Sequence, residues 1–168
     1  MTGWKVSEFG KIEEINSKET LQSIDSLKVR ITKTLVTEDD IALICGEDKS
    51  IKLPIIPCRS AIGMITELFQ PSDAVEKGDK VFIASTSPCG KCAHCMDDKA
   101  EKCYNFNVAG KTFDGFLKDF AVSTVSNVYP LPKNVKDESA IFIEYIALAL
   151  ALAFRSNFKV TSEYLLLL

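Results

Sequence analysis

The chain has 168 residues, 46% of them hydrophobic and 26% charged, and a formal net charge of −3. That balance fits one soluble globular domain, or one domain plus a fragment, and excludes a disordered chain. Lys and Arg are scattered, with no run long enough to track a phosphate backbone, so no nucleic-acid partner is expected.

In chain order, the opening stretch MTGWKVSEFGKIEEI lacks the apolar segment of a secretory signal. Lys28 to Val36 (KVRITKTLV) alternates and is rich in branched residues, which predicts a strand. A second strand is expected after Pro57 within Pro54 to Leu68. A third is expected at Asp79 to Ala84, fed by the Gly78-Asp79 turn signal. Phe116 to Val122 and Ser126 to Leu131 are further candidates. After Pro132 the character changes. Asp137 to Phe154 is rich in Ala and Leu and predicts a helix, capped by Asp137 or Ser139 and ending near residues 155–157. Residues 140–154 are too short to span a bilayer and contain Glu144, so no membrane partner is expected. Tyr164 to Leu168 reads as the start of a buried parallel strand.

The densest chemistry lies in CGKCAHCMDDKAEKC, residues 89–103. Cys89, Cys92, Cys95 and Cys103 follow the pattern Cys-x2-Cys-x2-Cys-x7-Cys. Three ligands can come from one tight turn, aided by Gly90, and the longer gap returns the fourth. Four thiolates form a closed tetrahedral zinc shell, which leaves no open position for chemistry. Lys91, Lys99 and Lys102 would offset part of its negative charge. Reduced surface cysteines and an iron–sulfur cluster are the other readings of the same spacing. His94, lying between ligands, is expected to face solvent. Without a secretory signal, a cytoplasmic, reducing location is expected, and clustered cysteines there read as metal ligands.

These cysteines, together with VEKGDKVFI before them, FDGFLKDF after them and VYPLP further on, resemble the zinc-containing alcohol dehydrogenases of the medium-chain dehydrogenase/reductase family. The resemblance covers nearly the whole chain. It implies a mainly β fold: a GroES-like, partly open barrel with a C-terminal helix and the first strand of a truncated Rossmann domain. It places a GroES-like domain at residues 1–136, with a zinc lobe at 88–104, and the connecting helix and start of a dinucleotide-binding domain at 137–168. The function it implies is the substrate-side domain of an NAD(P)-dependent alcohol or polyol dehydrogenase. The alternative is a non-catalytic, zinc-stabilised binding or assembly module.

The family holds a second, catalytic zinc through a Cys in a "CGxD" stretch, a His in "GHE", and a later Cys, Asp or Glu. Cys45-Gly46-Glu47-Asp48 imitates the first motif but lies too close to the second. The better register puts Thr37 on the ligand Cys, Asp39 on the proton-relaying hydroxyl, Asp40 on the acid that supports the His, Arg59 on the ligand His and Ser60 on its neighbouring Glu. Glu144 falls on the Glu of the later helix. Arg keeps its proton and Thr is a poor ligand, so this zinc is expected to be lost. Arg59 is expected to pair with Asp40 or to face solvent. Glu144 is expected to pair with Arg59 or to sit at the edge of a core helix. A makeshift site of Cys45, Cys58 and Glu144 is a further alternative. No glycine follows Gly115, so the glycine-rich cofactor turn is missing. NAD(P) then requires a dinucleotide-binding domain supplied elsewhere, either in a longer reading frame of which this chain is a fragment or by a second, cofactor-domain polypeptide. Homo-oligomerisation through an exposed leucine strand is also expected.

Overall fold

A computed structural model describes residues 2–16, 20–21 and 23–156. In chain order the elements are β1 (Thr2–Glu8), β2 (Lys11–Asn16), β3 (Ser26–Thr34), α1 (Glu38–Cys45), β4 (Ala61–Leu68), β5 (Lys80–Ile83), β6 (Thr86–Ser87), α2 (Ala93–Met96), β7 (Asn107–Val108), β8 (Phe120–Thr124), β9 (Val128–Pro130), α3 (Asp137–Ala140) and α4 (Ile143–Arg155). Five strands form one sheet in the order β8-β3-β4-β5-β9, antiparallel at every neighbour. The mainly β, GroES-like expectation therefore holds. The expected first Rossmann strand at Tyr164 to Leu168 lies outside the described residues.

Alternation decides what each face buries. Leu27, Val29, Ala61, Ile65, Val81, Ile83 and Ala121 point into one core, closed by Val75, Phe116 and Val128. Ile62 and Phe82 point the other way and meet Ala140 and Ile141. The centre of the sheet is thus covered on both sides, which is why Val81, Phe82 and Ile83 read as an unbroken apolar run rather than an alternating one.

Several elements have no counterpart among those expected from the sequence, including an N-terminal hairpin and helix α1. The β1–β2 hairpin turns at Gly10, whose φ of +80° suits glycine. Its second strand has no buried residue, so it carries no burial alternation to detect. It is anchored instead by backbone pairing of Val6 with Ile55 and by donation from Trp4 N–H to Leu117 O, 2.9 Å. The second missed element, α1, begins at Thr37 and ends at Gly46, which adopts φ +79°. Thr-x-x-Asp followed by an apolar run and a glycine was its signal.

The expected continuous helix is two. It breaks at Ile141 and Phe142 between α3 and α4. Neither Asp137 nor Ser139 caps it; Lys136 holds that position. Asp137 is committed elsewhere, accepting hydrogen bonds from Lys80 Nζ at 2.9 Å and Thr32 Oγ1 at 3.1 Å. These bonds pin the helical segment onto the sheet. No helix among the described residues is long and apolar enough to cross a membrane.

A strap at residues 56–58 runs beside 115–117. Gly115 N–H donates to Ile56 O at 2.7 Å, Phe116 N–H to Cys58 O at 2.8 Å and Leu117 N–H to Pro57 O at 3.1 Å. The approach is so close that a Cβ at residue 115 would overlap the carbonyl oxygens of Pro57 and Cys58. Backbone atoms cannot step aside as a flexible side chain can. Gly115→Ala is therefore expected to cost about 3 kcal/mol of stability, read as a fall in urea midpoint at unchanged slope.

Candidate metal centre and cleft

The four lobe cysteines converge. Cys92 precedes α2, Cys95 lies within it, and Cys103 follows a short 3-10 turn at Ala100–Lys102. Gly90, with φ +71°, turns the chain between the first two. All four Sγ atoms lie within 4.8 Å of one another. Cys92 and Cys95 are 3.5 Å apart, Cys89 and Cys95 3.9 Å, and Cys92 and Cys103 4.0 Å. A zinc–sulfur bond of about 2.3 Å in a tetrahedron requires sulfurs about 3.8 Å apart, so the set fits a four-thiolate metal.

Backbone donors are already aimed at this sulfur cluster. Cys89 N–H donates to Cys103 Sγ at 3.3 Å. The N–H groups of Cys95 and Tyr104 draw the Cys92 thiol down to about 6. The N–H of Lys91 lowers Cys89. Desolvation, with its thiol neighbours adding to it, pushes Cys95 up to about 12. Packed together, the sulfurs cannot all hold negative charge unless a cation sits among them. His94 stands apart from the cluster, its ring packed against Tyr104 with centroids 4.5 Å apart and planes tilted by 50°. Of the offsetting lysines, Lys99 is drawn to Asp97 at 3.7 Å.

The second constellation is assembled across the chain. Asp40, only 2% exposed, sits in the first turn of α1. Its Oδ2 accepts from Thr37 N–H and from Thr37 Oγ1, each at 2.8 Å, and its Oδ1 accepts from Cys58 N–H at 2.8 Å. Both oxygens are occupied, so the expected Arg59–Asp40 pair does not form. Arg59 instead pairs with Asp39 at 2.7 Å. Asp39 is the more exposed neighbour and can reach an arginine lying one residue beyond the buried strap.

Glu144 does not meet Arg59 either. It accepts a hydrogen bond from Ser85 N–H at 2.8 Å, at the edge of α4. Cys58 is buried with φ +71°. Burial, with the Asp40 carboxylate beside it, pushes its thiol up to about 11. Cys45 is exposed at the far end of α1. Among the described residues, Cys45, Cys58 and Glu144 form no group with metal-ligand spacing.

Beside this constellation lies a cleft of about 470 Å³, lined by Leu35, Val36, Thr37, Glu38, Asp39, Phe142 and Tyr145. The structure thus brings Thr37, Asp40 and Arg59 to one end of α1, with Phe142, just before α4, and Tyr145, in its first turn, as the facing aromatics. Asp39 as the partner of Arg59, Ser85 as the partner of Glu144, and the lining aromatics escaped the sequence reading. Nothing local marks contacts made across separations of roughly twenty to a hundred residues.

Residues 23–133 match the alcohol dehydrogenase GroES-like domain. The chain belongs to that family. It is 31% identical over 94 residues to an L-threonine 3-dehydrogenase of Pyrococcus furiosus, covering 56% of this chain and 27% of that protein. It is 25% identical over 119 residues to an acryloyl-coenzyme A reductase of Sulfurisphaera tokodaii, covering 71% and 36%. Among solved structures, galactitol-1-phosphate dehydrogenase from Escherichia coli superposes with TM-score 0.79 at 23% identity, over 89% of this chain and 43% of that one. A short chain alcohol dehydrogenase (rspB) from E. coli CFT073, complexed with NADH, gives 0.80 at 21% identity, over 92% and 45%. The chain spans about a third of the curated relatives and less than half of the solved ones.

Asp40 holds α1 to the strap by accepting from Thr37 and Cys58. Asp40→Ala leaves Cys58 N–H and Thr37 N–H unsatisfied in a buried place. It is expected to cost about 3 kcal/mol, measured by thermal unfolding against a Glu38→Ala control at the exposed neighbour.

Proposed function

We propose that the chain is the substrate-side domain of an NAD(P)-dependent oxidoreductase of the alcohol or polyol dehydrogenase type. It keeps a structural zinc on Cys89, Cys92, Cys95 and Cys103 and has lost the catalytic one. The observation that carries the reading is the Arg59–Asp39 pair at 2.7 Å, standing where the family resemblance puts a metal-binding histidine.

The two sites differ in how well their residues suit a metal. The lobe fits: four thiols at tetrahedral spacing form a closed shell, and the ion there would cross-link residues 88–104 without taking part in a reaction. The cleft does not fit. The Thr37 hydroxyl is turned to Asp40, and the Arg59 guanidinium repels a cation. No reaction step is therefore assigned to a metal in the cleft. The chain's own residues there offer a fixed positive charge on Arg59 and the Thr37 hydroxyl, groups able to stabilise charge developing on a substrate oxygen. A nicotinamide cofactor would supply or accept hydride from a dinucleotide-binding domain not found among the described residues. The second reading, a zinc-stabilised binding or assembly module without catalysis, draws support from the same ion pair, because Asp39 neutralises Arg59 beside the cleft.

Metal analysis of the purified chain is expected to give one zinc per chain, and a strong chelator with a thiol-reactive mercurial is expected to release it and raise proteolysis of the lobe. Two zincs per chain would refute the lost site. A complementary experiment rebuilds the ligands: Thr37→Cys combined with Arg59→His is expected to raise the stoichiometry to two, read by metal content and by the visible bands of a cobalt-substituted sample. No added metal would mean that the cleft is not the family's catalytic position.

A further inference from the structure

The cysteine lobe has no core of its own. Among the described residues of 89–107, only Cys103 is buried. The backbone bonds inside it are short-range: Met96 N–H donates to Cys92 O, Lys99 N–H to His94 O and Cys103 N–H to Ala100 O. Its root is two residue pairs, Thr86 with Val108 and Ser87 with Asn107. That root is fastened to the rest of the chain independently of the lobe. Ala109 N–H donates to Ser85 O, and Ser85 N–H to Glu144, each at 2.8 Å. The four thiolates therefore hold the lobe in shape only while they share a metal.

We propose that the lobe is a redox switch whose first disulfide joins Cys92 to Cys95 and expels the zinc. Cys92 immediately precedes α2 and Cys95 lies within it. Both sit on one turn with Sγ atoms 3.5 Å apart, closer than Cys89–Cys95 at 3.9 Å and Cys92–Cys103 at 4.0 Å. Cys89 and Cys92 share the same spacing but are parted by the left-handed turn at Gly90. Cys103 is buried and its Sγ accepts the Cys89 N–H. A disulfide of about 2.0 Å between Cys92 and Cys95 needs a short movement within one turn and closes a small loop. The oxidant is a hydroperoxide. One thiolate sulfur attacks a peroxide oxygen: an S–O bond forms, the O–O bond breaks and hydroxide leaves, giving a sulfenic acid. The second thiolate attacks that sulfur: the S–S bond forms, the S–O bond breaks and a second hydroxide leaves. With two protons taken up, two thiolates and one hydrogen peroxide become one disulfide and two waters. The metal loses two of its four donors and departs as Zn²⁺. The lobe then opens from its β6–β7 root while the sheet stays folded. A thiol reductant and fresh zinc reverse the change.

Hydrogen peroxide treatment of the zinc-loaded full chain tests this, in a Cys45→Ser background that removes an exposed thiol. A zinc-binding dye follows release, and tryptic peptides are mapped after alkylation. Cleavage at Lys91, Lys99 and Lys102 puts Cys89, the Cys92–Cys95 pair and Cys103 on three separate peptides. The expected result is zinc release in step with an unalkylated 92–99 peptide, lighter by two hydrogens, while Cys89 and Cys103 are alkylated. Cys95→His keeps a four-ligand shell but cannot form the bond. It is expected to release zinc at least about tenfold more slowly at the same peroxide concentration. Circular dichroism after oxidation is expected to keep the sheet signal. Oxidised thiols with the zinc still bound overturn the proposal, as does a first disulfide that reaches Cys89 or Cys103. So do release with sulfinic acid in place of a disulfide, loss of the sheet signal, or a Cys95→His chain that releases zinc as fast as the parent. The switch presupposes the lobe zinc of the proposed function. A purified chain that binds no zinc refutes that reading, whereas a zinc-loaded chain that fails these tests overturns the switch alone.

Discussion

The carboxylate of Asp40, almost wholly removed from water, accepts hydrogen bonds from the backbone of Thr37, the hydroxyl of Thr37 and the backbone of Cys58. Those bonds start α1 and fasten it to the strap at residues 56–58. The strap in turn supports Gly115, Phe116 and Leu117, and Leu117 receives the N-terminal hairpin through Trp4. Cys58 adopts a left-handed backbone, which disfavours a residue with a side chain. The bonds to Asp40 and Phe116 on its two sides hold it there. The position of Arg59 follows, since the residue after a fixed turn has little choice of direction.

This separates two kinds of site. The cysteine lobe is made within fifteen consecutive residues, so its ligand set is a property of local spacing, and the sequence exposes it. The cleft is made by the segment leading into α1, the first residues of α1 and the residues around the start of α4. Its residue types could be aligned to a family, but their pairings could not be deduced. The expected Arg59–Asp40 bridge was reasonable on charge alone. It fails because backbone donors claim Asp40 first, and a buried carboxylate with its lone pairs filled gains little from a guanidinium.

The fold was legible for a similar reason. Strands β3, β4 and β5 follow from branched residues and a turn signal. Apolar residues on both faces of β5 betray a sheet covered on two sides. The hairpin β1–β2 was hidden because Lys11, Glu13 and Glu14 decorate an exposed strand held by backbone bonds. Helix α1 was hidden by a competing interpretation: Thr37 to Asp40 was read as a ligand motif, when the same residues also open a helix. Helix α4 was recognised by its Ala and Leu content. Content, however, does not tell how much of such a helix the rest of the chain covers.

The arginine also has an electrostatic logic. Glu38 and Asp39 line the cleft, and the Asp40 carboxylate is buried close behind them. A divalent ion in such a place would offset them, and its loss alone would leave like charges in a partly desolvated region. Replacing a neutral histidine by arginine returns one unit of positive charge on a group that cannot lose its proton. The bond to Asp39 at 2.7 Å shows where that charge is used. Asp40 is compensated separately, by backbone dipoles. On the proposed reading, metal loss and arginine gain are therefore coupled changes: the guanidinium lets the cleft keep its acidic residues without the ion that such residues ordinarily accompany.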